Sequence, residues 1–208
     1  MRTTLLLLLV VAGGCGPRVL PTARPGGTPD LDFPVGSFSL TERSGKTVTA
    51  NDLLGKVWVA SFVFTRCPGP CPAVTGTVKE LQSDLRDVPD ARLVTFTVDP
   101  SRDNPDELAK YAAKYGADPE RWLFLTGPEA TVHALMKDRF KLAIARKELA
   151  EKEGDDFDHS TRLSVIDKMG VIRGTFAGMR DDARPDAKEA FEENLDRLKA
   201  MVRRLAAD

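Results

Sequence analysis

The stretch that most constrains what this chain can fold into is residues 57–71. Val57-Trp58-Val59-Ala60-Ser61-Phe62-Val63-Phe64 is a β-rich apolar run, the composition of a strand covered on both faces. It leads through Thr65-Arg66 into Cys67-Pro68-Gly69-Pro70-Cys71, after which Val74, Val78, Leu81 and Leu85 recur at helical spacing. Residues 93–98 form a second run of the buried-strand type. Strand, helix, strand is a βαβ unit, whose crossover is right-handed. The two cysteines therefore stand beyond the carboxyl end of a buried strand, where open α/β sheets build their sites.

The remaining pattern continues the alternation. Asn104-Pro105 supplies a cap and a first-turn proline, so a helix is expected from 105 to about 115, ended by Gly116. Residues 122–125 suggest a short strand, and Val132, Leu135, Met136 and Phe140 the helix after it. Residues 147–156 are densely charged and read as a solvated helix end or a loop. Residues 163–166 and 171–176 form a hairpin around a turn at 167–170. A long last helix carries Ala187, Phe191, Leu195, Leu198, Val202 and Leu205 on one face. This order predicts an α/β fold, a three-layer sandwich around a central mixed sheet with thioredoxin-like architecture. With 208 residues, one such domain, spanning 33–208, accounts for the folded chain.

The beginning of the chain bears on compartment. Met1-Arg2 is a positive start, residues 5–11 are apolar, and Ala12-Gly13-Gly14-Cys15 follows. The run is too short to span a bilayer and reads as a secretory signal over residues 1–14. Small residues directly before Cys15 resemble a bacterial lipobox, which makes Cys15 the lipidated mature N-terminus. Residues 15–32 contain Pro17, Pro21, Pro25 and Pro29 with Gly26 and Gly27, the makings of an extended tether. The expected location is the bacterial cell envelope, with the protein held to a membrane through lipid. A formal net charge of -1 gives no basic face for nucleic acid.

Only three cysteines and two histidines are present, so few residues can build a thiol or metal site. With Cys15 assigned to lipid, Cys67 and Cys71 remain. A helix N-terminus stabilises a thiolate, and in a helical turn the two Cα atoms would lie about 6 Å apart, within disulfide range. Disulfide, dithiol and pair of metal ligands are all open to such a pair. A purely structural staple would gain little from so short a loop. A zinc ribbon would need a second pair. His159, in Phe157-Asp158-His159-Ser160 ahead of the hairpin, could add an imidazole, giving a soft three-donor set suited to Cu(I) and able to take Cu(II) with a further ligand. His133 falls in an apolar-periodic segment and reads as structural or surface.

At this point four segments resemble one family. Phe62-Val63-Phe64-Thr65-Arg66-Cys67-Pro68-Gly69-Pro70-Cys71-Pro72, Val98-Asp99-Pro100-Ser101-Arg102-Asp103-Asn104-Pro105, Leu125-Thr126-Gly127 and Asp158-His159-Ser160 are similar, in this order, to the blocks of Sco/SenC copper chaperones. The resemblance implies a thioredoxin-like fold and copper held by Cys67, Cys71 and His159. It also implies a partner, cytochrome c oxidase subunit II, whose CuA site is supplied with copper or kept reduced. Asn104 stands in place of the family's usual Thr, and Gly69-Pro70 in place of a commoner Asp-Val, so no expected ligand is missing. Asp99, Arg102 and Asp103 are expected either to brace the site or to serve as turn and capping residues. Two other readings compete: a metal-independent thiol–disulfide oxidoreductase using Cys67 and Cys71, and a thiol peroxidase. The oxidoreductase motif usually has two intervening residues rather than three. In the peroxidase the Thr stands three residues before the reactive Cys, whereas Thr65 precedes Cys67 by two.

Overall fold

A computed structural model of the chain describes residues 31–148, 156–183 and 185–208. The expected signal segment, Cys15, most of the tether and most of the charged stretch lie outside the described residues. Strand β4 (Val57–Val63) is buried at every position. It pairs in parallel with β5 (Ala91–Thr97), in register Val57↔Ala91 through Val63↔Thr97, and β5 pairs in parallel with β6 (Trp122–Thr126). Between β4 and β5 runs α1 (Cys71–Asp84), and between β5 and β6 runs α2 (Pro105–Tyr115).

Antiparallel strands extend this parallel centre on both sides. The hairpin of β9 (Arg162–Ile166) and β10 (Val171–Ala177) joins β4 through β9, and β1 (Phe33–Pro34) pairs with β10. Beyond β6, β2 (Ser39–Glu42) and β3 (Thr47–Thr49) complete the other edge. The order is β1-β10-β9-β4-β5-β6-β2-β3, the mixed sheet expected from the sequence.

Layering follows from strand alternation. Trp58 and Phe62 of β4 and Phe96 of β5 share a face with Phe38 and Phe140, and Phe62 stacks on Phe96 at 5.1 Å. Phe140 reaches that cluster at the end of α3 (Glu129–Ala134) and a π-turn over Leu135–Arg139, where Phe140 N–H donates to the Leu135 carbonyl. The opposite face takes α1, α2 and α4 (Ala187–Ala207). There Tyr111 of α2 packs on Phe124, and Arg203 of α4 pairs with Asp87 just past α1. Sheet and two helix layers make the three-layer α/β sandwich.

Local chemistry sets the helix ends. The Asn104 side chain accepts the Glu107 N–H at 3.0 Å, and Gly116 closes α2 at φ +66°, a conformation cheap only for residues without Cβ. Val74, Val78, Leu81 and Leu85 are all buried. In α4 only the second half of the expected face, Leu198, Val202 and Leu205, is buried; Ala187, Phe191 and Leu195 are half-buried. Outside the main sheet, β7 (Ile144–Arg146) and β8 (Phe157–His159) form a separate antiparallel ribbon. Sequence periodicity does not show this ribbon, because each strand has three residues and their pairing is not local. No helix among the described residues is long and apolar enough to cross a membrane.

Candidate metal centre

β4 delivers the chain to Cys67, and α1 begins at Cys71 with Pro70 at the cap and a proline in its first turn. Cys71 is fully buried and Cys67 half-buried, and both are thiols. The helix start points free N–H groups at this turn. The Cys67 thiol is drawn well below the usual thiol range, first by the hydrogen bond from Cys71, against burial, and further by His159 and the backbone N–H groups of Cys71 and Gly69. Cys71 moves the other way: its bond to Cys67, burial and the neighbouring charge all push its thiol up. The result is an asymmetric pair, with a half-exposed sulfur that readily carries charge and a buried one that keeps its proton.

His159 comes from the ribbon, paired with Ile144 at the end of β8. Its ring sits edge-on to Phe64 at 5.7 Å, and Phe64 in turn meets Phe157 at 5.6 Å. Nδ1 lies 3.1 Å from the Ser160 carbonyl, which can only accept, so Nδ1 is the donor there and Nε2 is the nitrogen turned toward the thiols, the one that offers a lone pair to a metal when the ring is neutral. That Nε2 lies 3.3 Å from Cys71 Sγ. Fixing the tautomer through the far nitrogen is how ligating histidines are oriented. Cys67, Cys71 and His159 thus meet at one end of the sheet. Among the described residues, however, no three His, Cys, Asp or Glu side chains already form an ion cage. The donors are neighbours whose final approach would depend on the ion.

The other histidine is elsewhere. His133 Nε2 donates to the Val98 carbonyl at 2.8 Å, and its ring packs on Phe157, a structural role. Asp99, Arg102 and Asp103 both shape a turn and reach the site. Asp103, buried, accepts the Thr65 N–H at 3.0 Å and the Thr65 and Thr97 hydroxyls at 2.5 Å each. Burial pushes its carboxyl up, while those hydrogen bonds oppose the shift. Thr65 lies two residues before Cys67, so Asp103 anchors the cysteine loop. Asp99 accepts from Arg102 Nε at 2.6 Å, and the same guanidinium reaches Asp156, three residues before His159, at 2.6 Å. From α1, Thr75 donates to the Cys71 carbonyl at 2.8 Å and meets the Tyr111 hydroxyl at 2.8 Å.

Sequence reasoning missed Asp156, read there as part of a solvated stretch, because its partner lies in a distant loop. It also missed Gly178. A Cβ at that position would stand 2.3 Å from the carbonyl oxygen of Thr161, two residues beyond His159, and no local pattern marks such a contact.

Comparison with known proteins places this arrangement. The SCO1 protein homolog of Bacillus subtilis is 32% identical over 166 residues, 77% of this chain and 84% of the relative. Several other relatives are covered over only 54% to 65% of their length. A SCO1/SenC family lipoprotein from Bacillus anthracis superposes with a TM-score of 0.72 at 29% identity, covering 85% of this chain and 97% of that one. BsSco, described as a member of the Sco family of cytochrome c oxidase assembly proteins, gives 0.65 at 32%, over 78% and 95%. Yeast Sco1 with copper bound gives 0.60 at 25%, over 82% and 90%. The sequence profile described as SCO1/SenC matches residues 28–191, a span that includes Cys67, Cys71 and His159 and ends within α4. The chain belongs to the SCO1/SenC family.

Proposed function

We propose that this protein is a copper-binding metallochaperone of the cell envelope. It holds copper with Cys67, Cys71 and His159, and it delivers copper to the CuA site of cytochrome c oxidase or keeps that site's thiols reduced. The observation that carries the reading is the 3.3 Å approach of His159 Nε2 to the buried Cys71 sulfur, beside a second thiol that readily gives up its proton. The donor chemistry fits copper: two thiols and a neutral imidazole are soft ligands that suit Cu(I) and accept Cu(II) with one more group. Structural zinc would ask for a fourth protein ligand. Copper here is cargo. Half-exposed Cys67 is the sulfur a receiving protein reaches first, while Cys71 lies buried behind it. Yeast Sco1 with bound copper and the assembly role named for BsSco support the assignment.

Cys15 would be the lipid anchor, residues 15–32 the tether and 33–208 the working domain. The Bacillus anthracis relative is described as a lipoprotein, which favours this layout.

The asymmetry of the two thiols favours a second reading, a metal-independent thiol–disulfide oxidoreductase. A charged, accessible Cys67 would attack and a protonated Cys71 would resolve. Copper titration of the reduced protein, X-ray absorption, and transfer to an apo-protein carrying the CuA ligands decide between them. One copper per chain with sulfur and nitrogen ligands, followed by transfer, is the expected result. A coordination sphere of nitrogen and oxygen alone would overturn the copper site.

A further inference from the structure

Arg102 joins two carboxylates that belong to different parts of the fold. Its Nε lies 2.6 Å from Asp99 Oδ2, and its NH2 group 2.6 Å from Asp156 Oδ2. Asp99 is buried at the end of the β5 segment and is itself held, by the Ser101 hydroxyl at 2.7 Å and through its own N–H to Thr97 Oγ1 at 3.0 Å. Asp156 opens the β8 arm, where Lys147 N–H donates to its carbonyl at 2.9 Å, and the arm runs directly into Phe157, Asp158 and His159. The adjacent residue, Asp103, grips Thr65 of the cysteine loop. One short loop, residues 99–103, therefore holds the thiol side of the site with one residue and the imidazole side with its neighbour.

We propose that Arg102 is a positioning residue, which sets His159 over the thiol pair by tying Asp156 to the anchored Asp99. The planar guanidinium suits this task because it hydrogen-bonds Asp99 through Nε while its NH2 group stays in ion-pair contact with Asp156. Lysine could satisfy only one arm at a time. The Arg102 side chain is 32% exposed, so the outer ion pair adds little to stability. Its contribution is geometric. The inference rests on His159 being a copper ligand, but the contact it explains exists without metal.

Asp156→Asn in the full chain is the primary test, since it releases the histidine arm while Asp99 keeps its partner. Arg102→Ala would instead strand a buried carboxylate and confuse positioning with unfolding. Four measurements are compared with wild type: the melting temperature, the rate of Cys67–Cys71 disulfide formation, the nuclear Overhauser contact between the His159 and Phe64 rings in metal-free protein, and Cu(II) affinity. The expected pattern is an unchanged melting temperature and disulfide rate, a weakened ring contact, and a loss of about 10- to 100-fold in Cu(II) affinity, the usual size of an outer-shell effect. Asp156→Glu, which keeps the charge, should recover most of that affinity. An undisturbed ring contact in Asp156→Asn overturns the proposal, as does a uniform fall in all four measurements. If wild type itself binds no copper but the ring contact still depends on Asp156, the positioning role stands and the chaperone reading fails.

Discussion

Cys71 Sγ stands 3.3 Å from His159 Nε2, although 88 positions separate the two residues in sequence. Because Nδ1 is committed to the Ser160 carbonyl, Nε2 is the ring nitrogen left to face sulfur and to bind a metal. His159→Ala should keep the fold and the capacity to form the Cys67–Cys71 disulfide. Its Cu(II) affinity should fall by more than about 100-fold, since changes outside the ligand sphere alone reach that size. His133→Ala is the matched control. It removes the bond to the Val98 carbonyl and should lower stability by about 1 kcal/mol, with copper binding retained. Titration against a competing chelator measures both variants. Support of oxidase assembly by His159→Ala at the wild-type level, together with its loss in Cys67→Ala, would hand the site to the oxidoreductase reading.

The opposed shifts of the two thiols make a pH prediction. Cys67 is drawn down to about 4, chiefly by the Cys71 hydrogen bond, and only the thiolate is nucleophilic. Its alkylation rate should therefore stay flat from neutrality to about pH 5 and fall as pH passes about 4. A lowered folded value means that the stability Cys67 contributes is complete above the unfolded thiol value, about 8.5. That contribution declines below 8.5 and is lost as pH falls through the folded value. Cys71, raised by its bond to Cys67 and by burial, acts in the opposite sense: its contribution is complete below the unfolded value and is lost as pH rises. Cys71→Ala removes the donor, so the onset of Cys67 alkylation should move up toward the ordinary thiol range. An identical profile in the variant would show that Cys71 is not the cause.

If Cys15 anchors the protein, mass spectrometry of the mature chain should find Cys15 at the N-terminus carrying a diacylglyceryl group. Cys15→Ser should then release the protein from the membrane fraction. Recovery of wild type as an unmodified soluble chain would refute the anchor and leave the copper site untouched.

The parts of this molecule legible in its sequence are those with local causes. The strand from Val57 is visible because both of its faces are covered, so its positions are apolar save Ser61, whose hydroxyl is met by Thr95. The limits of α2 follow from the Asn104 side chain, which caps the helix, and from the backbones of Pro105 and Gly116. The cysteine turn is visible because it joins two such elements. Strands β1 to β3 and the β7–β8 ribbon have two to four residues each, too few for a periodicity to mark them. His159 could be singled out, but its position above Phe64 depends on the ribbon, and the Arg102–Asp156 contact depends on two loops meeting. The π-turn before Phe140 is likewise a tertiary effect: it turns that ring into the cluster of Trp58, Phe62 and Phe96, where a regular helix was expected.

Gly178 offers a test of how tightly the histidine segment is framed. A methyl group there would stand 2.3 Å from the Thr161 carbonyl oxygen and 3.2 Å from Leu163 Cγ. The obstacle at 2.3 Å is backbone, so it cannot step aside by changing a rotamer. Gly178→Ala must move the chain between His159 and β9, and overpacking of this kind costs about 1–3 kcal/mol. For a domain of this size the loss corresponds to a drop of roughly 2–4 °C in melting temperature per kcal/mol. Gly174→Ala is the comparison, because its added carbon would meet the Phe176 ring at 2.8 Å and the flexible Met201 side chain at 2.9 Å, both able to yield. The expected order of stability is wild type, Gly174→Ala, then Gly178→Ala, with Cu(II) affinity reduced only in the last, because only there is the segment bearing His159 displaced. Calorimetry and copper titration on the same three proteins check both halves. A Gly178→Ala protein as stable as wild type would mean that the 161–163 backbone is free to shift, and that His159 is not held from this side.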